Sequence, residues 1–170
     1  MPALALPPEV ADALRGYYTC EMTTVNRQDQ PITWPTLPYF YEPDGHIIVT
    51  VSIAFPVKAY NARRHPQVSL LYSDPTGSSL TNPPAVLVQG DATVYEALDY
   101  LTPPILGLIK ASTRRQPDSS RFSSNRYIRG FFEWYLFQRI AIAVQPRRIL
   151  VWPDRDFTHP PTEIEVRSVE

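Results

Sequence analysis

Short hydrophobic runs, some alternating with polar positions and some rich in β-branched residues, are separated along this chain by polar, proline- and glycine-bearing segments. Such a pattern predicts strands joined by turns. Tyr17 to Val25 alternates loosely and reads as a first strand. Asn26 to Gln30 is a polar turn, and Pro31 to Tyr41 reads as a second strand. Pro35 and Pro38 would each delete a ladder donor there, so the strand belongs at an edge or carries a bulge. Glu42-Pro43-Asp44-Gly45 is a turn by composition. Short connections of this kind predict an antiparallel meander for the first three strands.

The most informative run follows. From Ile47 to Ile53 β-branched residues dominate, the composition of a buried strand. Pro56 suits the first position of a helix, where its missing N–H costs nothing. Two turns extend to Arg64, and Pro66 stops them because the residue before a proline leaves the α region. Val68 to Tyr72 is the next strand. A short helix is thus clamped between strands, with Lys58 in its first turn. A cation there opposes the helix dipole. A bound phosphate would reverse the sign, using the ammonium and the free amides together. Asn61 lies one turn on, on the same face. The alternative is a solvated, merely tolerated lysine.

Elsewhere, Pro8 to Arg15 predicts a helix with Val10 and Leu14 on one face, plugging a barrel end, and Gly16 as its stop. Ser73 to Ser79 is a loop, and Ala85 to Tyr95 a long strand with a bend or bulge at Gly90. A helical region starts at Glu96, is interrupted by Pro103-Pro104 and resumes from Ile105 to Ala111. Thr113 to Asn125 reads as a mobile loop, and Tyr127 to Tyr135 as an aromatic helix. Phe137 to Val144 and Arg148 to Trp152 read as a closing strand pair about a tight turn at Pro146. Beyond Pro153 the tail wraps a neighbour or frays. Six or seven strands with few helices make the fold mainly β, a closed or split β-barrel.

Composition narrows the function. A chain of 170 residues, 44% hydrophobic, is one domain with room for a core. Its segments are residues 1–16 (helix), 17–101 (main strands), 102–136 (helical and loop insertion), 137–153 (closing strands) and 154–170 (tail). A net charge of −1 gives no field for nucleic acid or an acidic membrane. Arginine supplies 14 of the 16 basic residues, suiting forked contacts to phosphate or carboxylate. Nineteen prolines fit tight connections. The single Cys20 allows no internal disulfide and reads as a small core side chain. His46, His65 and His159 show no metal-ligand spacing. No run has spanning length and the first residues do not form a signal peptide, so a cytoplasmic location is expected. No G-x-S-x-G, Walker or G-x-G-x-x-G pattern is present, which disfavours nucleophilic hydrolysis and a Rossmann site.

The run Lys58-x-x-Asn61-x-Arg63-Arg64-x-Pro66-x-Val68-Ser69-Leu70 after a strand resembles the flavin-binding segment of the pyridoxamine 5′-phosphate oxidase-like split-barrel family. Thr23-Thr24-Val25, Leu37-Pro38-Tyr39-Phe40 and Val86-Leu87-Val88-Gln89-Gly90 follow the family's order, and the similarity spans about residues 8 to 153. The resemblance implies a split β-barrel of FMN-binding type and a homodimer with its cofactor at the subunit interface. It places Lys58 at the phosphate. Val49, Thr50, Val51 and Ser52 fall on the strand that lines the isoalloxazine; for Thr50 and Ser52, ordinary strand alternation is the other reading. Departures from the family pattern include Val57 where the oxidase has arginine, Ala85 where it has glutamine and Gln89 at a position that is often acidic. These argue against pyridoxamine phosphate chemistry and for the broader branch of FMN- and deazaflavin (F420)-dependent reductases.

Arg63 or Arg64 is expected to replace the missing phosphate arginine, Arg64 by preference, since the two cannot share a helix face. Trp34 either stacks on a cofactor or substrate ring or packs in the barrel or dimer interface. Trp134 and Tyr135 are expected in core or interface. Arg139 opens a late strand in a region that the family often brings toward the partner's flavin; an exposed strand residue is the equal alternative. Arg114, Arg115, Arg121 and Arg126 flank a loop that would close over an anionic substrate or a polyglutamyl cofactor tail, or is simply solvated. The expected activity is a flavin-dependent oxidoreductase acting on a small substrate. The other class is a non-enzymatic flavin or haem binder, since no general acid or base stands out.

Overall fold

The computed structural model describes residues 4, 6–95, 102–115 and 139–166. Its elements in chain order are α1 (Pro8–Gly16), β1 (Cys20–Val25), β2 (Pro31–Thr36), β3 (Pro38–Tyr41), β4 (His46–Ser52), α2 (Val57–Arg64), β5 (Gln67–Tyr72), β6 (Ala85–Tyr95), α3 (Pro103–Arg115), β7 (Arg139–Trp152) and β8 (Thr162–Ile164). The strands form one antiparallel sheet in the order β2-β1-β5-β6-β7-β4-β3, with β8 added against β7. The fold is mainly β, a curled sheet of split-barrel type.

The curl follows from one residue. β2 and β3 are the two ends of that order, yet only Leu37 separates them. Two residues of extended chain span about 7 Å. The sheet must therefore roll until its edges approach each other. Pro35 and Pro38 do sit on edge strands, as their missing donors require, but they divide the expected strand into two. The expected meander is overturned by the same break. β1–β2 and β3–β4 are hairpins, and the chain crosses the barrel between them.

Two further expectations are corrected. β7 is continuous through Pro146 instead of turning back there. Pro146 faces Gly90 where the β6–β7 register slips between Gln89 and Gly90. The bulge absorbs the missing N–H, and a Cβ at position 90 would run into the Gln145 carbonyl oxygen. The tail, in turn, docks on its own chain. Ile164 pairs Ile149, and Arg148 donates two hydrogen bonds to Glu163 at 2.9 and 2.8 Å. Pro103 and Pro104 begin α3, where the first turn has no use for their N–H groups. Residues 96–101 and 116–138 lie outside the described residues, and with them the expected helix start at Glu96, the aromatic helix, Trp134, Tyr135, Arg121 and Arg126.

Inward-facing residues of every long strand make one core. Met22, Ile47, Val49, Leu70, Val86, Val88, Ile142 and Ile149 are fully or almost fully buried, and Val10 and Leu14 of α1 pack into the same cluster. Cys20 is buried as expected. α2 closes onto this core through Ala59 and Ala62. Its polar anchor is Asn61, whose Nδ2 donates to Thr24 Oγ1 of β1 at 3.2 Å, both residues being buried. Thr24→Val keeps the shape and removes the acceptor. The expected cost is about 1–3 kcal/mol, the price of a buried amide left without that bond. Urea denaturation checks it as a fall in midpoint at unchanged slope.

Candidate functional site

The site is built where β4 hands over to α2. β4 alternates: Ile47, Val49 and Val51 point into the core, and Ile48, Thr50 and Ser52 face outward. The register across to β7 sets Ile48 beside Ala143, Thr50 beside Ala141 and Ser52 beside Arg139. β6 continues the Thr50 row with Tyr95, which pairs Ala141 and is exposed. Directly paired side chains stand about 4.5–5.5 Å apart. The outer face therefore presents a platform of Thr50 and Ser52, edged by Tyr95 and Arg139, with Ala141 and Ala143 buried beside them. α3 covers one end, where Leu108 packs on Ile48 and Ala143. The Thr50 and Ser52 hydroxyls and the Arg139 guanidinium are the polar groups of this face.

A tight turn follows β4. Phe55 N–H donates to the Ser52 carbonyl at 3.0 Å, and Ala54 N–H donates to Ser52 Oγ at 3.3 Å. α2 starts at Val57, one residue later than expected, with Pro56 as its N-cap. No side chain caps the helix, and its first turn carries no acid. Lys58 stands in that turn, half-buried. Among the described residues it makes no hydrogen bond and no ion pair. Burial pulls its pKa below the ordinary lysine value, with Cys20 opposing slightly. Cys20 is pushed far up by burial and stays a thiol. A half-buried lysine in the first turn of a helix that no side chain caps suits an anion.

The expected residues divide clearly. Lys58, Thr50, Ser52 and Arg139 belong to this corner of the barrel. Arg139 lies beside Ser52 of its own chain, a pairing that sequence reading did not foresee. Val49 and Val51 turn their side chains inward, so only their backbone can meet a ligand. Asn61 does not stay with Lys58 on a ligand-facing side; it is buried and bonded to Thr24. Arg64 does not stand alone either. Arg63 and Arg64 both line an open groove with Arg27 and Tyr60, and Lys58 is not part of that lining. Trp34 sits on edge strand β2 at 37% exposure, opposite Met22. Arg114 is exposed in the last turn of α3. Ala141, Ala143 and Tyr95 were missed; the 2.0 period of β6 and β7 marks their face, but only the register shows which residues of β4 they meet.

No family model matches the sequence, and no curated protein matches it. Solved structures do. The chain is similar to a conserved hypothetical protein of Mycobacterium tuberculosis at 21% identity and a TM-score of 0.61, over 98% of this chain and 97% of that one. A Clostridium acetobutylicum protein related to general stress protein 26, of the pyridoxinephosphate oxidase family, matches at 5% identity and a TM-score of 0.56, over 92% of each chain. A haem storage protein of Vibrio cholerae matches at 18% identity and a TM-score of 0.54, over 83% of this chain and 89% of that one. At such identities the shared property is the fold, the split barrel of pyridoxamine phosphate oxidase-like proteins. Among the described residues no helix is long and apolar enough to cross a membrane.

The isolated ammonium gives a direct expectation. Lys58→Met removes a desolvated charge, so the ligand-free variant is expected to melt a few degrees higher at pH 7, about 1 kcal/mol corresponding to roughly 2–4 °C in a chain of this size. A lysine whose pKa is depressed by folding costs stability in full below its folded pKa. The cost fades as pH rises from there toward the unfolded value of 10.5. The advantage of the variant therefore shrinks on the alkaline side. Thermal melts of both proteins between pH 7 and 10.5 check the sign.

Proposed function

We propose that this protein binds FMN by its phosphate and uses it as a redox cofactor for a small substrate. The half-buried Lys58, which makes no ion pair among the described residues and stands in the uncapped first turn of α2, carries the reading. A phosphate dianion would neutralise that ammonium and accept from the first helical amides at once. The platform of Thr50 and Ser52 would lie under the ring, with Arg139 and the two hydroxyls donating to its polar edge. When bound, a flavin supplies the hydride and electron chemistry. This chain would fix the ring, shield one face and hold donors along the other edge. A homodimer, in which a second copy of this chain adds its residues around the cofactor, belongs to the same reading.

The similarity to a haem storage protein favours a second reading, a non-enzymatic binder on the same barrel. A visible spectrum separates the two: flavin bands in one case, a Soret band in the other. Colourless protein is to be titrated with FMN and with F420, a deazaflavin with a phosphate of its own. Lys58→Ala is expected to weaken FMN binding by about 1.5–3 kcal/mol, roughly 10- to 100-fold, as for a charge-assisted hydrogen bond. Arg114→Ala, at the exposed end of α3, is expected to leave it within twofold. Equal affinities for the parent and the Lys58 variant would remove the phosphate assignment.

A further inference from the structure

The groove beside α2 gathers positive charge away from Lys58, which is not among its lining residues. Arg27 comes from the β1–β2 turn; Tyr60, Arg63 and Arg64 come from the last two turns of α2. Together they line an open depression of about 370 Å³. Arg27 and Arg64 make no ion pair among the described residues. The neighbouring carboxylate, Asp29, faces His65 at 3.6 Å instead. That contact ties the turn to the end of α2. The turn itself is stiffened by Asn26 Oδ1, which accepts from the amides of Gln28 and Gln30 at 2.8 and 3.0 Å. Arg27 is thus presented from a short, internally bonded turn, not from a free loop.

In a chain of net charge −1, three arginines lining one concavity make a local excess of positive charge. Each guanidinium offers a planar fork of donors that matches a carboxylate or a phosphate. Tyr60, half exposed, adds a phenolic hydroxyl. Position 64 lies six residues beyond Lys58, about 9 Å along the helix axis and about a third of a turn away around it. One phosphate cannot be shared between the two places without a long reach. The groove instead suits several charges spaced along a flexible ligand, each added contact acting at high effective concentration once the first is made.

We propose that the Arg27–Tyr60–Arg63–Arg64 groove is a binding site for a short, flexible polyanion carrying two or more carboxylates or phosphates, independent of the Lys58 corner. The proposal stands whether or not a flavin binds at Lys58, because its probes contain no ring. Calorimetric titration of the full chain at low salt with tripolyphosphate and with triglutamate tests it and separates the two sources of charge. The expected result is saturable binding of at least one probe, tighter than orthophosphate by at least about tenfold and weakened by added salt. Arg27→Gln with Arg64→Gln is expected to reduce that affinity by at least about tenfold, while Lys58→Met keeps it within threefold. Melting temperatures of the variants confirm that they fold, and Arg64→Lys alone should lose part of the affinity while retaining the charge. No binding of either probe, equal binding by the double variant, loss of binding in Lys58→Met, or binding of single-stranded RNA without any response to the two probes would each overturn it.

Discussion

A charged amine held half out of water, with nothing of opposite sign against it, is a standing strain on a folded chain. The simplest relief is a neutral side chain, and one substitution would supply it. Lys58 keeps the charge, and the barrel around it is arranged so that the charge remains usable. α2 is pinned from below by Ala59, Ala62 and the Asn61–Thr24 bond, so its first turn cannot swing into solvent. The turn after Ser52 delivers that helix from the end of β4.

The platform of Thr50 and Ser52 depends in turn on how the sheet rolls. With one residue between opposite edge strands, β2 and β3 are forced together and the remaining strands curl about a common core. Alternation then does the sorting. Val49 and Val51 help fill the interior, and Thr50 and Ser52 are left on the face that β7 lines with alanines and Arg139. Core and site are two sides of the same strand.

Local patterns were readable from the sequence and long-range ones were not. β4, α2 and β5 were found nearly to the residue, because β-branched runs and two prolines mark their limits. The bulge at Gly90 and the buried Cys20 were legible for similar reasons. The crossing at Leu37 was not, since a strand interrupted by prolines looks the same whether it bends or leaves for the far edge. Nor was the continuity of β7, where a glycine on the opposite strand makes room for Pro146. At the site, Lys58 stood out through its conflict with the helix dipole. Asn61 was misplaced because helical spacing says which residues are neighbours, not which of them the core will claim. Arg139 found its partner Ser52 only through register, and the grouping of Arg63 and Arg64 with Arg27 needed the β1–β2 turn to be folded against the helix end.

The most direct measurement compares FMN with riboflavin, which has the same ring and no phosphate, in the parent and in Lys58→Met. If the ammonium exists to meet a phosphate, the parent binds FMN at least about tenfold more tightly than riboflavin, and the variant loses most of that preference while its riboflavin affinity hardly moves. A preference for FMN of the same size in both proteins would contradict it, as would a parent that binds the two ligands equally.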